Sequence, residues 1–261
     1  MNNDVLFSMS GKIATITFNR PEQGNAFSKD SYQMTKEYIE RCSSDMGVGA
    51  VVITGEGKHF SAGGDIKRFK TLIDSGEFLK EENILMAGSM ADAIRRCPKP
   101  VIAMVNGAAA GAGCSAALAC DFRIVTPESK FIMAFIKLGL SGDTGGLYYL
   151  QKLLGIAKTT ELMMLGEAVG GEEAVKIGLA VKLVDKSDLK KETYKLAEKL
   201  ANSPLMAIRR QKALMYEFFF TDLGEYTEKE ARYMTECSYT EDFKEAVDAF
   251  LEKRPPVFRG E

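Results

Sequence analysis

The segment from Lys99 to Cys120, KPVIAMVNGAAAGAGCSAALAC, constrains the fold more than any other part of the chain. Its apolar run, Val101 to Val105, is short and sharply flanked, which predicts a buried strand. Asn106 and Gly107 then turn the chain, and the small residues 108–113 lead into an alanine-rich stretch that indicates a buried helix. The segment therefore predicts a strand, a turn and a helix whose small residues let another group approach the backbone closely.

The start of this helix leaves backbone N–H groups without intrahelical partners. Such groups suit a phosphate, a carboxylate or an oxyanion that develops during a reaction. Three interpretations are therefore open: tight packing, a dinucleotide-binding turn and an oxyanion hole. The sequence GAGCSA at 111–116 has the G-x-G-x-x-A spacing of a dinucleotide turn, but Val105 lies six residues before Gly111. In a dinucleotide-binding fold the first glycine directly follows the strand, so this spacing disfavours a nicotinamide cofactor.

Composition narrows the class of protein further. The chain has 261 residues, of which 46% are hydrophobic and 27% charged, as expected for a globular protein with a sizeable core. Its formal net charge of −2 argues against nucleic acid or an anionic membrane as the main partner. The single histidine, His59, argues against a His-rich metal site and a Ser-His-Asp hydrolase. The opening sequence MNNDVLFSMSGK lacks the pattern of a signal peptide, and the five scattered cysteines indicate reduced thiols, so we expect a cytoplasmic protein.

The pattern along the chain predicts an α/β fold. Strands are expected at 13–18, 50–54 and 101–105, each followed by a loop and a helix. From residue 158 onward the pattern is almost entirely helical, including one long helix over 227–252. We therefore predict a strand-and-helix core over residues 1–200 and a helical extension over 201–261. Because no Pro- or Ser-rich linker separates them, both are expected to belong to one structural unit.

A second glycine-rich turn, FSAGGDI at Phe60 to Ile66, also lies between a predicted strand and a predicted helix. Alone, it is equally well explained as a tight loop whose glycines relieve crowding. Together with residues 108–113 it permits more, because each turn can present one backbone N–H. Two such groups aimed at one point make an oxyanion hole.

Several motifs, taken in order, resemble the enoyl-CoA hydratase/isomerase (crotonase) family. They are N-R-P-x-x-x-N-A at 19–26, F-S-A-G-G-D-I at 60–66, K-P-V-I-A-x-V-N-G-x-A-x-G-A-G at 99–113, A-V-K-I-G-L-A at 174–180 and A-F-L-E-K-R at 249–254. The resemblance implies a crotonase-like spiral of strand-strand-helix turns followed by helices that mediate assembly into a homotrimer or homohexamer. It also implies an acyl-CoA thioester substrate, with coenzyme A as part of the substrate and no separate cofactor.

The resemblance also implies site residues. The oxyanion-hole N–H groups fall on Gly64 and Ala112, where Ala112 replaces the family's usual glycine but still donates through its backbone. Lys67 and Arg68 face either the CoA phosphates or simply solvent. The substrate- and CoA-binding positions that it implies are Asn25, Ala26, Ala62, Gly63, Asp65, Ile66, Lys67, Phe135, Phe250 and Lys253.

The carboxylates distinguish the reactions of this family. Its hydratases use two glutamates, since water must be activated while a proton is delivered to the α carbon. The corresponding positions here are Ser115 and Phe135, so hydration by that mechanism is disfavoured. Asp143, in L-S-G-D-T-G-G, falls where some isomerases of the family carry their base. Apolar neighbours would raise its pKa, although an aspartate there also suits the cap of a helix that starts near Gly145.

These residues favour an isomerase in which Asp143 moves a proton and converts a 3-enoyl-CoA into a 2-enoyl-CoA through a dienolate. Other interpretations remain open at this point. They are a hydratase-like enzyme, a dehalogenase with Asp143 as nucleophile, a thioester hydrolase, a decarboxylase of a branched acyl-CoA and a non-catalytic acyl-CoA-binding homologue. Ser115 is disfavoured as a nucleophile because no histidine partner is in view.

Overall fold

The computed structural model describes residues 3–261, so residues 1–2 of the predicted core lie outside the described chain. The strands are β1 Val5–Ser10, β2 Ile13–Phe18, β3 Ala50–Gly55, β4 Val101–Val105, β5 Ala108–Ala110, β6 Phe122–Val125, β7 Lys130–Ile132, β8 Ala168–Gly170 and β9 Lys182–Leu183. The α-helices are α1 Lys29–Ser44, α2 Ile66–Asp74, α3 Glu81–Arg96, α4 Ala112–Ala119, α5 Gly146–Leu165, α6 Gly171–Lys176, α7 Leu189–Ala201, α8 Leu205–Phe219, α9 Leu223–Cys237 and α10 Glu241–Glu252.

The strands form two sheets that the chain visits in turn. One sheet has six strands in the order β1-β2-β3-β4-β6-β9, parallel except for the β1–β2 hairpin. The other has three strands in the order β5-β7-β8, and a parallel bridge from Ser61 to Ala109 extends it. After β3, β4 and β6 the chain therefore crosses to the second sheet before it enters a helix. This alternation produces the expected spiral of strand-strand-helix turns.

The central strands are covered on both faces, which explains their nearly continuous apolar sequences. Val51 and Ile53 of β3 point into the main core. Ala50 and Val52 point the other way, into a smaller cluster that α7 closes with Leu189 and Ala197. The side-chain period of two thus divides each strand between two hydrophobic layers.

The two glycine-rich turns are hydrogen-bonded to each other. Phe60 donates its N–H to the Ala108 carbonyl at 3.0 Å, and Ala110 donates to the Ser61 carbonyl at 2.9 Å. Behind them, α4 approaches so closely that a Cβ added to Gly113 would lie 2.6–2.8 Å from atoms of Ser61. The small residues therefore serve this close approach of backbone to backbone as well as any ligand.

The C-terminal part differs from the sequence prediction in two respects. The long helix expected over 227–252 is wrong: α9 ends at Cys237, and α10 begins after Thr240, whose hydroxyl accepts the Phe243 N–H at 3.2 Å. The region after residue 158 is also not purely helical, because β8 and β9 complete the two sheets. Strands of two or three residues carry too few side chains to show a period in the sequence.

Candidate active site

A cavity of about 480 Å³ opens between the two glycine-rich turns, the loop before α5, and the helices α9 and α10. Its inner wall is apolar, with Phe69, Leu140 and Met234 among the lining side chains. Lys67 and Lys137 lie at the wall and are exposed to solvent. The cavity therefore combines an apolar interior with two exposed lysines at its wall, which suits an acyl chain attached to an anionic carrier.

The two predicted oxyanion donors lie on adjacent turns. Gly64 lines the cavity, and neither Gly64 nor Ala112 donates its N–H to another group within residues 3–261. Ala112 is the first residue of α4, where the helix supplies no intrahelical acceptor. A Cβ added to Gly63, which has a φ of +87°, would lie 3.2 Å from the Ala112 nitrogen and 2.5 Å from the Ala110 carbonyl oxygen. Glycine at position 63 thus lets the two donor-bearing turns approach each other.

Asp143 lies at the cavity with only 7% of its surface exposed. Burial raises the pKa of its carboxyl to about 6, and the hydrogen bond from the Thr144 hydroxyl, 2.8 Å from Oδ1, opposes that rise. No cation contributes to this shift. A carboxylate with this pKa is mostly ionised at neutral pH, yet it accepts a proton more readily than an exposed aspartate.

The loop that carries Asp143 has an unusual backbone. Thr144 has a φ of +60°, which is strained for a β-branched residue, and its neighbours Gly142 and Gly145 also have positive φ values. The alternative in which Asp143 caps the following helix is wrong, because Gly145 is the N-cap residue of α5 and no side chain of that segment caps it. The Gly145 N–H instead donates to Oε2 of Glu230 in α9 at 2.8 Å. The Asp143 carboxylate therefore does not cap α5.

The two positions that correspond to hydratase glutamates have other roles here. Ser115 is fully buried, and its hydroxyl donates weakly to the carbonyls of Gly111 and Asp143, both at 3.3 Å. Phe135 lines the cavity, and its ring lies within 4 Å of Cβ positions built on Gly111 and Gly142. An aromatic ring thus lies between Gly111, at the start of α4, and Gly142 of the Asp143 loop.

The structure brings most of the predicted site residues to one cavity. The predicted residues that line it are Ala26, Ala62, Gly64, Asp65, Ile66, Lys67, Phe135, Asp143 and Phe250. Ala112 and Gly63 lie directly behind this wall and shape it through their backbone. Asp65 is already engaged, since it caps α2 and accepts a hydrogen bond from Arg20 at 3.1 Å.

Two predicted binding residues are placed differently. Asn25 is buried away from the cavity, and its side-chain amide donates to the carbonyls of Glu56 and His59 at 2.9 and 2.7 Å. It therefore holds the loop that follows β3 in place and has no free side-chain group for a substrate. Lys253 is exposed at the C-terminal end of α10 and does not belong to the cavity wall of this single chain.

Sequence reasoning missed the contribution of α9. Met234 lines the cavity, and Glu230 is buried with both carboxylate oxygens hydrogen-bonded, to Gly145 and to the Tyr226 hydroxyl. One signal was present: Glu230 shares the apolar face of α9 with Ala231 and Met234, and a charged residue rarely occupies such a face without a partner. Within residues 3–261 there is no group of three or more His, Cys, Asp or Glu residues that would hold a metal ion. The same residues include no helix long and apolar enough to span a bilayer.

Comparisons with known proteins find relatives that match nearly the whole length of this chain. A model of the enoyl-CoA hydratase/isomerase family matches residues 8–261. The trans-2-decenoyl-[acyl-carrier-protein] isomerase of Streptococcus mutans is 33% identical over 258 residues, covering 98% of both chains. The short-chain-enoyl-CoA hydratase of Clostridium acetobutylicum is 32% identical, covering 97% of this chain and 96% of that protein.

A solved structure shares the fold. The crystal structure of an enoyl-CoA hydratase from Mycobacterium avium subsp. paratuberculosis superposes with a TM-score of 0.89 at 27% identity, covering 98% of both chains. The predicted fold class is therefore confirmed. The relatives carry the names of both hydratases and isomerases, so the reaction must be argued from the residues of this chain.

Proposed function

Because the chain belongs to the enoyl-CoA hydratase/isomerase family, we propose that it is an isomerase of acyl thioesters that converts a 3-enoyl-CoA into the 2-enoyl-CoA. In this proposal Asp143 is the base and the N–H groups of Gly64 and Ala112 form the oxyanion hole. No separate cofactor takes part, since coenzyme A belongs to the substrate.

One observation carries the proposal: a single carboxylate is poised for proton transfer in the cavity. Three carboxylate residues belong to the cavity wall, namely Glu22, Asp65 and Asp143. Glu22 is exposed, and Asp65 is engaged by Arg20 and by the cap of α2. Asp143 alone of the three is buried with a pKa raised to about 6. One base suffices to move a double bond, whereas hydration requires a second group.

The reaction then proceeds in two proton transfers. The Asp143 carboxylate removes a proton from C2 of the 3-enoyl thioester, and the electron pair of that C–H bond moves into a dienolate whose charge lies on the thioester oxygen. The N–H groups of Gly64 and Ala112 stabilise this charge. The Asp143 carboxylic acid returns the proton to C4, the double bond forms between C2 and C3, and the carboxylate is regenerated.

The apolar surroundings favour isomerisation over addition of water. Phe135 fills the position of the second hydratase glutamate, and the ring leaves no group there to activate a water molecule. Exclusion of water also protects the dienolate and strengthens its hydrogen bonds to the oxyanion hole.

The decisive experiment incubates the protein with a 3-enoyl-CoA in deuterated water and follows both isomerisation and deuterium incorporation by mass spectrometry. Asp143→Asn keeps the size of the side chain but removes the base, so both signals are expected to fall ~100- to 10,000-fold. Glu22→Gln, which changes the exposed carboxylate at the wall, serves as the matched control and is expected to retain the wild-type rate.

A substrate panel separates the alternatives. It contains 2-enoyl-, 3-enoyl- and aryl-CoA thioesters, together with a 3-enoyl thioester of acyl carrier protein because the Streptococcus mutans relative is named for such a substrate. Undiminished exchange in Asp143→Asn, or efficient hydration of the 2-enoyl-CoA, would overturn the proposal. Binding of acyl-CoA without any proton exchange in the wild type would instead identify a non-catalytic homologue.

A further inference from the structure

The helix α9 supplies the N-terminal cap that α5 lacks. Glu230 accepts the Gly145 N–H at 2.8 Å on Oε2 and the Tyr226 hydroxyl at 2.9 Å on Oε1. Glu230 therefore provides the partner for the N–H of Gly145, the N-cap residue of α5, which no side chain of its own segment caps. Tyr226, one turn earlier on α9, holds the other oxygen of the Glu230 carboxyl.

This cap is attached directly to the loop that carries the proposed base. Asp143 lies two residues before Gly145, and the backbone between them passes through Thr144 with its φ of +60°. Such a conformation is strained in a β-branched residue and persists only where the surroundings hold it. Ser115 of α4 contacts the Asp143 carbonyl from one side, while Glu230 holds Gly145 from the other.

We infer that Glu230 is a positioning residue for the proposed reaction, because its hold on Gly145 fixes how the Asp143 carboxylate enters the cavity. This inference rests on the proposed function, in which Asp143 is the base. Glu230 does not belong to the cavity wall and acts only through the loop.

The charge state of Glu230 is consistent with this role. The titratable groups that face it are Asp143 from the loop, Tyr226 from its own helix and Tyr149 from α5. Burial raises the pKa of Glu230 to about 8, and the negative charge of Asp143 adds to the rise. Glu230 therefore keeps its proton where Asp143, with a pKa of about 6, has lost its own. A neutral side chain with a carbonyl oxygen should then replace it in function.

The test compares Glu230→Gln, which keeps a carbonyl acceptor for Gly145, with Glu230→Leu, which removes it. Thr235→Val is the matched control, since the Thr235 hydroxyl is buried on the same helix without a hydrogen-bond partner. Each variant is assayed for isomerisation across pH, with kcat and KM determined separately per mole of folded protein.

We expect Glu230→Leu to lower kcat ~10- to 100-fold with little change in KM, since a misplacement of about 1 Å can cost about 100-fold. The acid limb of the pH–rate profile, where the rate falls because the base is protonated, should move below pH 6 in this variant. The reason is that a released Asp143 becomes solvated, so the pKa of its carboxyl falls toward the ordinary value of 3.8. Glu230→Gln should stay within about threefold of the wild-type kcat and keep the acid limb, as a retained hydrogen bond predicts. Thr235→Val should match the wild type.

Equal losses in Glu230→Gln and Glu230→Leu would overturn the inference, as would a wild-type kcat and acid limb in Glu230→Leu. If Glu230→Leu does not fold, Glu230→Asp decides the question, because it withdraws the carboxyl from Gly145 by one methylene. We expect it to lower kcat in the same direction, and an unchanged kcat would contradict the inference. Asp143→Asn is assayed in parallel: if it retains activity, the proposed function fails, whereas its inactivity beside a fully active Glu230→Leu or Glu230→Asp refutes only the role of Glu230.

Discussion

Asp143 derives its proposed basicity from burial alone. Because no cation contributes to its pKa, the apolar wall of the cavity raises the value to about 6, and the Thr144 hydroxyl is the one group that opposes the rise. A carboxylate tuned in this way by its surroundings is typical of sites that transfer protons near neutral pH.

The pH dependence of the reaction tests this origin. The base must be ionised, so kcat/KM is expected to fall tenfold per pH unit below about pH 6. Thr144→Val preserves the branched side chain but removes the hydrogen bond that stabilises the carboxylate, so the pKa of Asp143 rises and the acid limb moves to higher pH. The measurement is the pH profile of isomerisation under substrate-limited conditions. An acid limb that stays in place would show that this hydrogen bond does not tune the base.

At the scale of elements, the proposed oxyanion hole depends on how closely three backbone segments approach one another. The turn at residues 60–64, the strand β5 and the start of α4 pack with atoms of Ser61 and Gly113 in contact. Glycine at 113 leaves room that no other residue provides there. The relative position of the two proposed donors is therefore a consequence of helix-to-turn packing and not of either turn alone.

Gly113→Ala is expected to disturb both stability and catalysis. The added Cβ would lie 2.6–2.8 Å from Ser61, and relief of this overlap should lower the unfolding free energy by ~1–3 kcal/mol. Because the relief separates the two donor-bearing turns, kcat should also fall. Chemical denaturation and steady-state kinetics measure the two effects.

Gly224→Ala is the matched control, since a Cβ built on Gly224 meets nothing within 4 Å. This substitution lies in a helix, where alanine replaces glycine favourably by up to about 1 kcal/mol. Wild-type stability and kcat in Gly113→Ala would contradict the close-packing account of the hole.

At the scale of the whole molecule, the single chain leaves many apolar side chains exposed on α5 and α8. Phe218 is 71% exposed, Met164 69% and Ile156 67%, and Leu214 and Phe219 also lie exposed on α8. An accumulation of this kind on one chain is typical of a surface that another protein covers. We propose that copies of this chain cover it in a homotrimer or homohexamer, as the resemblance to the family implies.

Sedimentation velocity or light scattering tests the assembly. The wild type is expected to have the mass of a trimer or hexamer, and Leu214→Glu combined with Phe218→Glu should shift it toward the monomer, because two charges would have to be buried. Met46→Glu replaces an exposed methionine outside these helices and should leave the mass unchanged. A monomeric wild type, or a double variant with full assembly, would contradict the proposal.

The sequence by itself determined the strands and helices whose pattern is long enough to show a period. It predicted β2, β3 and β4 within a residue, the start of α1 at its Ser28 cap and the two glycine-rich turns. It also predicted Asp143 and eight other residues of the cavity wall, most of which lie in motifs that resemble the family. The sequence did not predict β8 and β9, because these strands are short and pair with residues far away in the chain. It also did not predict the break between α9 and α10, whose signal is short.

Only the tertiary structure decided what surrounds Asp143. It excluded the capping of α5 by Asp143, turned the Asn25 amide inward, and brought Glu230 from α9 to Gly145, 85 residues away in the chain. Local sequence specifies the period and the turns, because these depend on neighbouring residues. The pKa of a buried carboxyl depends on groups that come together only when the chain has folded, and so do the hydrogen bonds that fix its loop. No pattern along the sequence shows which distant residues those groups belong to.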